Sequence, residues 1–131
     1  MMRPVVTMIL ASFVLSVSLQ AFTAAVAQTS ITAHKFKDDN RNGSQDADED
    51  SLSDWPMALF SGPGCRSLIG EAATDGDGNA VFSVDSGSYS VGERFQPGWE
   101  CTTGRCQDIE IDQDSITVFF GNYWVEDQEW K

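Results

Sequence analysis

"AVFSVDSGSYSVGERF", residues 80 to 95, is the stretch whose reading decides the fold. "AVFSV" (80–84) and "SYSVGERF" (88–95) are short runs rich in Val, Phe, Ser and Tyr, joined by "DSG". That composition reads as two β-strands around a tight hairpin loop. No window in this part of the chain offers apolar residues three and four apart over three turns, so a helix is excluded.

The same grammar continues in both directions. Upstream, "ITAHKF" (31–36) alternates, "WPMALF" (55–60) places Trp55, Met57 and Leu59 on one face, and "RSLIGEAA" (66–73) runs into the turn cluster "TDGDGN". Downstream, "QDIEI" (107–111) and "ITVFF" (116–120) are joined by "DQDS". Seven short strands at this spacing, each with one apolar face, predict an all-β, seven-stranded antiparallel β-sandwich.

The ends of the chain differ from this pattern. Arg3 is followed by an uncharged run from Val5 to Val26, and "AVA" (25–27) closes it in the small-x-small pattern that signal peptidase reads. Residues 1–27 are therefore expected to be a signal peptide cleaved between Ala27 and Gln28, leaving a single domain over 28–131 with a short tail. The protein is expected to be secreted, extracellular or periplasmic, and not membrane-bound after cleavage. Without Arg3 the mature chain has 7 basic residues against 20 acidic ones, a net charge of −13. Such a surface repels nucleic acid and anionic lipid and favours divalent cations or basic partners.

One loop carries a specific chemical signal. "DDNRNGSQDADE", residues 38 to 49, fits D-x-[DN]-x-[DN]-G-x5-E at every specified position. Calcium takes six to eight oxygens, so a loop must curl and present every second residue inward. Asp38, Asn40 and Asn42 would give side-chain oxygens and Gly43 the sharp turn. Ser44 would give its carbonyl, Asp46 a direct or water-mediated contact, and Glu49 a closing carboxylate. The flanking segments are strands rather than helices, so Ca2+ is expected to stiffen the loop rather than open a groove. Asp75, Asp77 and Asn79 in "TDGDGN" form a weaker second set, which a turn rich in left-handed conformers explains equally well.

Cys65, Cys101 and Cys106 all lie beyond the leader. An oxidising compartment permits one disulfide, and the short insert "TTGR" makes Cys101–Cys106 the expected pair. No Ser/His/Asp or Cys/His constellation is assembled, and His34 is the only histidine. The chain is therefore not expected to be an enzyme.

Taken in order, the calcium loop, "TDGDGN", the G-x-Y strand "GSYSV", "PGW" (97–99) and "FGNY" (120–123) resemble the SdrD B-like domain, a collagen-adhesin B-type, prealbumin-like family. The resemblance spans residues 31 to 124. It implies Greek-key, transthyretin-like topology and structural calcium held by Asp38, Asn40, Asn42, Ser44, Asp46 and Glu49. Related collagen-adhesin domains form a Lys–Asn isopeptide bond assisted by an acidic residue. By that resemblance Glu93 falls at the acid and Asn122 near the acceptor. Phe36, however, falls at the lysine position, with Lys35 and Lys37 expected on the opposite face, so no cross-link is expected. The function implied is a calcium-stabilised structural or adhesive module at the cell surface or in the extracellular matrix. The alternative is a partner-binding protein, adhesin-like or inhibitory, that uses Trp99, Trp124 and Trp130 against an extracellular or cell-surface partner.

Overall fold

The computed structural model describes residues 2, 14, 16–20 and 28–126. Most of the leader, including the cleavage point after Ala27, and Trp130 in the tail lie outside the described residues. Among the described residues no helix is long and apolar enough to cross a membrane.

Among the described residues eight strands follow one another: β1 (Thr29–Lys37), β2 (Pro56–Ser61), β3 (Ser67–Ala73), β4 (Asn79–Val84), β5 (Gly87–Glu93), β6 (Trp99–Cys101), β7 (Cys106–Ile111) and β8 (Ile116–Trp124). They form two four-stranded sheets, ordered β4-β1-β8-β6 and β3-β2-β5-β7. The strand added to the seven read from sequence is β6, three residues that pair antiparallel with the end of β8. Every pairing is antiparallel except that of β1 with β8, which is parallel from Ile31↔Ile116 to Lys37↔Asn122.

"DSG" is not a hairpin between paired neighbours. β4 pairs with β1 in one sheet, and β5 pairs with β2 and β7 in the other. The turn therefore carries the chain across the sandwich. "DQDS" does the same between β7 and β8. Turn residues dictate a reversal of the backbone but not which sheet receives the next strand.

The core lies between the sheets and joins inward residues of both. Ile31, Ala33, Ala80, Phe82, Val84 and Phe120 come from one sheet, and Met57, Leu59, Val91, Ile109 and Ile111 from the other, with Trp55 at one end. Burying each large apolar side chain contributes roughly 1.5–3 kcal/mol, so this cluster holds the layers together against a strongly acidic surface. In β1 the inward phase runs Ile31, Ala33, Lys35, each fully buried. Phe36, one residue out of phase, is buried as well, its ring lying over Gly121, its partner on β8.

Candidate functional site

The inward phase of three strands converges on one polar cluster inside an apolar core. Lys35 follows Ile31 and Ala33 on β1, Glu93 follows Val91 on β5, and Asn122 follows Phe120 on β8. Lys35 Nζ lies 2.5 Å from Glu93 Oε2, and both side chains are almost completely buried. Lys35 Nζ also donates to Asn122 Oδ1, and Asn122 Nδ2 donates to Glu93 Oε1 at 3.2 Å. The three groups thus close a ring of hydrogen bonds. The Trp55 ring caps the ammonium, 4.2 Å from Nζ to its centroid.

Burial lowers the Lys35 pKa below the ordinary lysine value, and the Glu93 charge only partly opposes that shift. Stripping water from an ammonium favours the neutral amine, which is the nucleophilic form. An amine, a carboxyl group and a carboxamide in contact are the components of amide exchange. The sequence expectation placed Lys35 on the outer face, and the structure overturns it. The alternation was phased from Phe36, whereas Ile31 and Ala33 set the inward phase that Lys35 shares.

The acidic loop hangs from the end of β1. Asp38 is fully buried, and its carboxylate accepts from the N–H groups of Asn42 (3.1 Å) and Gly43 (2.8 Å). Gly43 has φ of 78°, a left-handed conformation that glycine adopts without penalty. Glu49 accepts from Asp39 N (2.6 Å) and Asp46 N (2.8 Å), tying the loop's end to its start. The amides of Asn40 and Asn42 both meet Asp46 Oδ2, at 2.5 and 3.0 Å, while Ser44 gives its N–H to Asn42 Oδ1. Among the described residues no three His, Cys, Asp or Glu side chains gather as a metal-binding group. Asp38 and Glu49 turn to backbone donors, and Asp46 to the side-chain amides of Asn40 and Asn42, instead of crowding one another. Each carboxylate has about four acceptor sites, so oxygens that already take an N–H retain capacity for a cation.

The second set does not come together in the same way. Asp75 Oδ1 accepts from Asp77 N and Asn79 N, which is a turn function. Asn79 Oδ1 lies 2.7 Å from His34 Nδ1, and His34 Nε2 lies 2.7 Å from Gln45 Oε1. His34 is thus a structural link between β4 and the acidic loop.

The disulfide is Cys65–Cys106, and Cys101 is free. The expected Cys101–Cys106 pair fails because the two side chains lie on opposite faces. Cys106 stands opposite Gly92, and a Cβ at Gly92 would lie 3.3 Å from Cys65 Sγ. Glu93, the next residue, points to the other side, where Cys101 stands opposite Asn122. Burial, with the neighbouring Glu93 charge, raises the Cys101 pKa and keeps its thiol protonated.

Of the tryptophans, Trp99 is edge-on to both Trp55 (5.5 Å) and Trp124 (5.3 Å), and Trp124 is half exposed. Beside them is an open hollow of about 320 Å³ lined by Phe95, Gly98, Trp99, Glu100, Arg105, Val125 and Glu126.

The sandwich is similar to solved pilins. The shaft pilin SpaA of Lactobacillus rhamnosus GG superposes with a TM-score of 0.58 at 9% identity, over 75% of this chain and 52% of that one. GBS52, the minor pilin of Streptococcus agalactiae, gives 0.56 at 15% identity, over 79% and 48%. The RrgB pilus backbone D1 domain of Streptococcus pneumoniae gives 0.54 at 13% identity, over 87% and 97%. The likeness is one of fold, a β-sandwich shared with domains of these pilins. This chain spans about half the length of the first two pilins and nearly the whole of the D1 domain. No protein-family model matches the sequence, and no curated protein matches it significantly.

Proposed function

We propose that this chain is a secreted, non-catalytic structural module of SdrD B-like type for the cell surface or extracellular matrix, locked internally by an amide between Lys35 and Asn122. The observation that carries the reading is the convergence of Lys35, Glu93 and Asn122 in a buried ring under Trp55. Glu93 takes a proton from the Lys35 ammonium, leaving a neutral amine and a neutral acid. Lys35 Nζ bonds to Asn122 Cγ, Glu93 relays one Nζ proton to Nδ2, and the C–Nδ2 bond breaks to release ammonia. Oxidation states are unchanged, and Glu93 ends protonated, facing the new amide. A low-dielectric site and fixed contact supply the effective concentration that such a step needs.

The test is a digest of the mature protein. A branched peptide joining Lys35 to Asn122, lighter by one ammonia, is expected, and its absence refutes the cross-link. It must be read on internal peptides, since cyclisation of Gln28 also loses ammonia.

The acidic loop gives the same module a calcium site in this reading, with Asp38, Asn40, Asn42, Ser44, Asp46 and Glu49 as oxygen donors. Extracellular calcium modules bind at about 0.1–1 mM. Calcium at a few times that concentration should therefore raise the melting point by mass action. Equal melting points in calcium and in chelator would end the calcium assignment, and Glu49→Ala should abolish the shift.

A second reading, partner binding, is favoured by the half-exposed Trp124 beside the hollow at Trp99. Affinity capture from a native secretome, with wild type against Trp124→Ala, separates it from a purely structural role.

A further inference from the structure

We infer that the acidic loop is the positioning device for the Lys35–Asn122 bond, with Asp38 as its positioning residue. The inference rests on the cross-link reading above. It joins two features that the sequence presents as unrelated, a cation-type loop and a reactive cluster.

Both reacting residues have their backbones tied to the ends of that loop. Asp38 N donates to Asn122 O at 2.8 Å, directly after Lys37↔Asn122, the last rung of the β1–β8 ladder. On the other side Leu52 N donates to Lys35 O at 2.9 Å, and Lys37 N to Asp50 O at 2.8 Å. The loop therefore leaves β1 at Asp38 and returns along the same strand. It clamps the terminal rung, where a ladder otherwise frays.

Asp38 holds this clamp from within. Its N–H fixes the Asn122 carbonyl, while its buried carboxylate fixes the turn at Asn42 and Gly43. Glu49 fixes the far end through Asp39 and Asp46. Loosening either carboxylate frees Asp38 to move, and Asn122 moves with it. Misplacing a reacting group by about 1 Å costs roughly 100-fold in rate. A cation in the loop would act in the same direction, by holding both ends of the clamp together.

The experiment uses the full mature chain, synthesised in vitro and quenched into guanidinium before it folds, then diluted into folding buffer. The time course of the branched Lys35–Asn122 peptide is followed with 2–5 mM calcium (about a few-fold above the extracellular binding range) and with chelator. Asp38→Ala and Glu49→Ala are each expected to slow its formation by roughly 10- to 100-fold. Asp38→Asn, which retains an acceptor oxygen for the turn, should recover most of the rate. Glu110→Gln, on the exposed face of β7, should match wild type. Folding is checked by circular dichroism and by formation of Cys65–Cys106. A folded Asp38→Ala that cross-links at the wild-type rate overturns the inference. If Asp38→Ala does not fold, Glu49→Ala decides in the same way. If neither folds, the wild type decides, since a rate equal in calcium and chelator, in a protein whose melting point calcium raises, overturns it. No branched peptide in the wild type under any condition defeats the cross-link reading and this inference with it.

Discussion

Replacing Lys35 by Met and Glu93 by Gln removes the nucleophile and its proton relay without leaving a lone buried charge. The double variant therefore isolates the contribution of the cross-link. Lys35 and Asn122 are separated by 87 residues in sequence, and the Cys65–Cys106 disulfide, of separation 41, lies inside that span. With the disulfide intact, the loop closed by the amide is shortened to about 46 residues. Closing a loop of that size removes denatured-state entropy equivalent to about 4 kcal/mol in the chain-entropy treatment, applied here to an amide as to a disulfide. For a domain of this size the loss should lower the melting point by roughly 15–30 °C. Scanning calorimetry on both proteins, each with its disulfide confirmed by non-reducing peptide mapping, gives the difference. A wild type proven to be linked, melting within about 5 °C of the double variant, would refute the argument that closure of this loop stabilises the fold.

Cys65→Ala should destabilise the domain by about 2–4 kcal/mol, read from denaturant unfolding, whereas Cys101→Ala should leave the Cys65–Cys106 peptide intact. A map showing Cys101 paired with Cys106 would contradict the two-face arrangement. Because the Nζ proton passes to Glu93 and stays in the site, the reactive neutral pair holds as many protons as the ion pair, so the rate of amide formation should be level at neutral pH and fall where the pair loses that proton, below 10.5 because burial lowers the Lys35 pKa. In the unlinked chain the unfolded state binds more protons between the lowered folded value and 10.5, so stability should rise with pH across that window. A rate that keeps the midpoint of an exposed lysine would show that Lys35 is not desolvated when it reacts.

Much of the architecture was readable from strand grammar. β-rich runs and Gly, Asp and Asn turns located most of the strands and the all-β class. They could not say which sheet each strand joins, because "DSG" and "DQDS" reverse the chain whether or not the flanking strands pair. The loop at 38–49 was readable because its chemistry depends on local spacing. The Lys35–Glu93–Asn122 ring depends on contacts 58 and 87 residues apart in sequence. Its signal was the shared phase of Ile31, Ala33 and Lys35, of Val91 and Glu93, and of Phe120 and Asn122. Choosing Phe36 as the reference hid that phase, since Phe36 is buried over Gly121 on its own sheet rather than in phase with Ile31 and Ala33. The disulfide was misassigned for a similar reason. Cys101 and Cys106 are close along the chain, but they project from opposite faces, which separation in sequence cannot report.

The parallel pairing of β1 with β8 has a mechanical consequence. Tension entering ahead of Thr29 and leaving beyond Trp124 would act along these two strands in opposite senses, at right angles to their hydrogen bonds. The rungs from Ile31↔Ile116 to Lys37↔Asn122 would then be sheared together rather than unzipped one after another. An antiparallel pair pulled from its two chain ends at the same edge peels rung by rung, at a force set by one hydrogen bond at a time. Before the Lys35–Asn122 amide forms, rupture requires the whole first and last strands to slide past each other, so the resistance of the unlinked domain to stretching follows from strand direction.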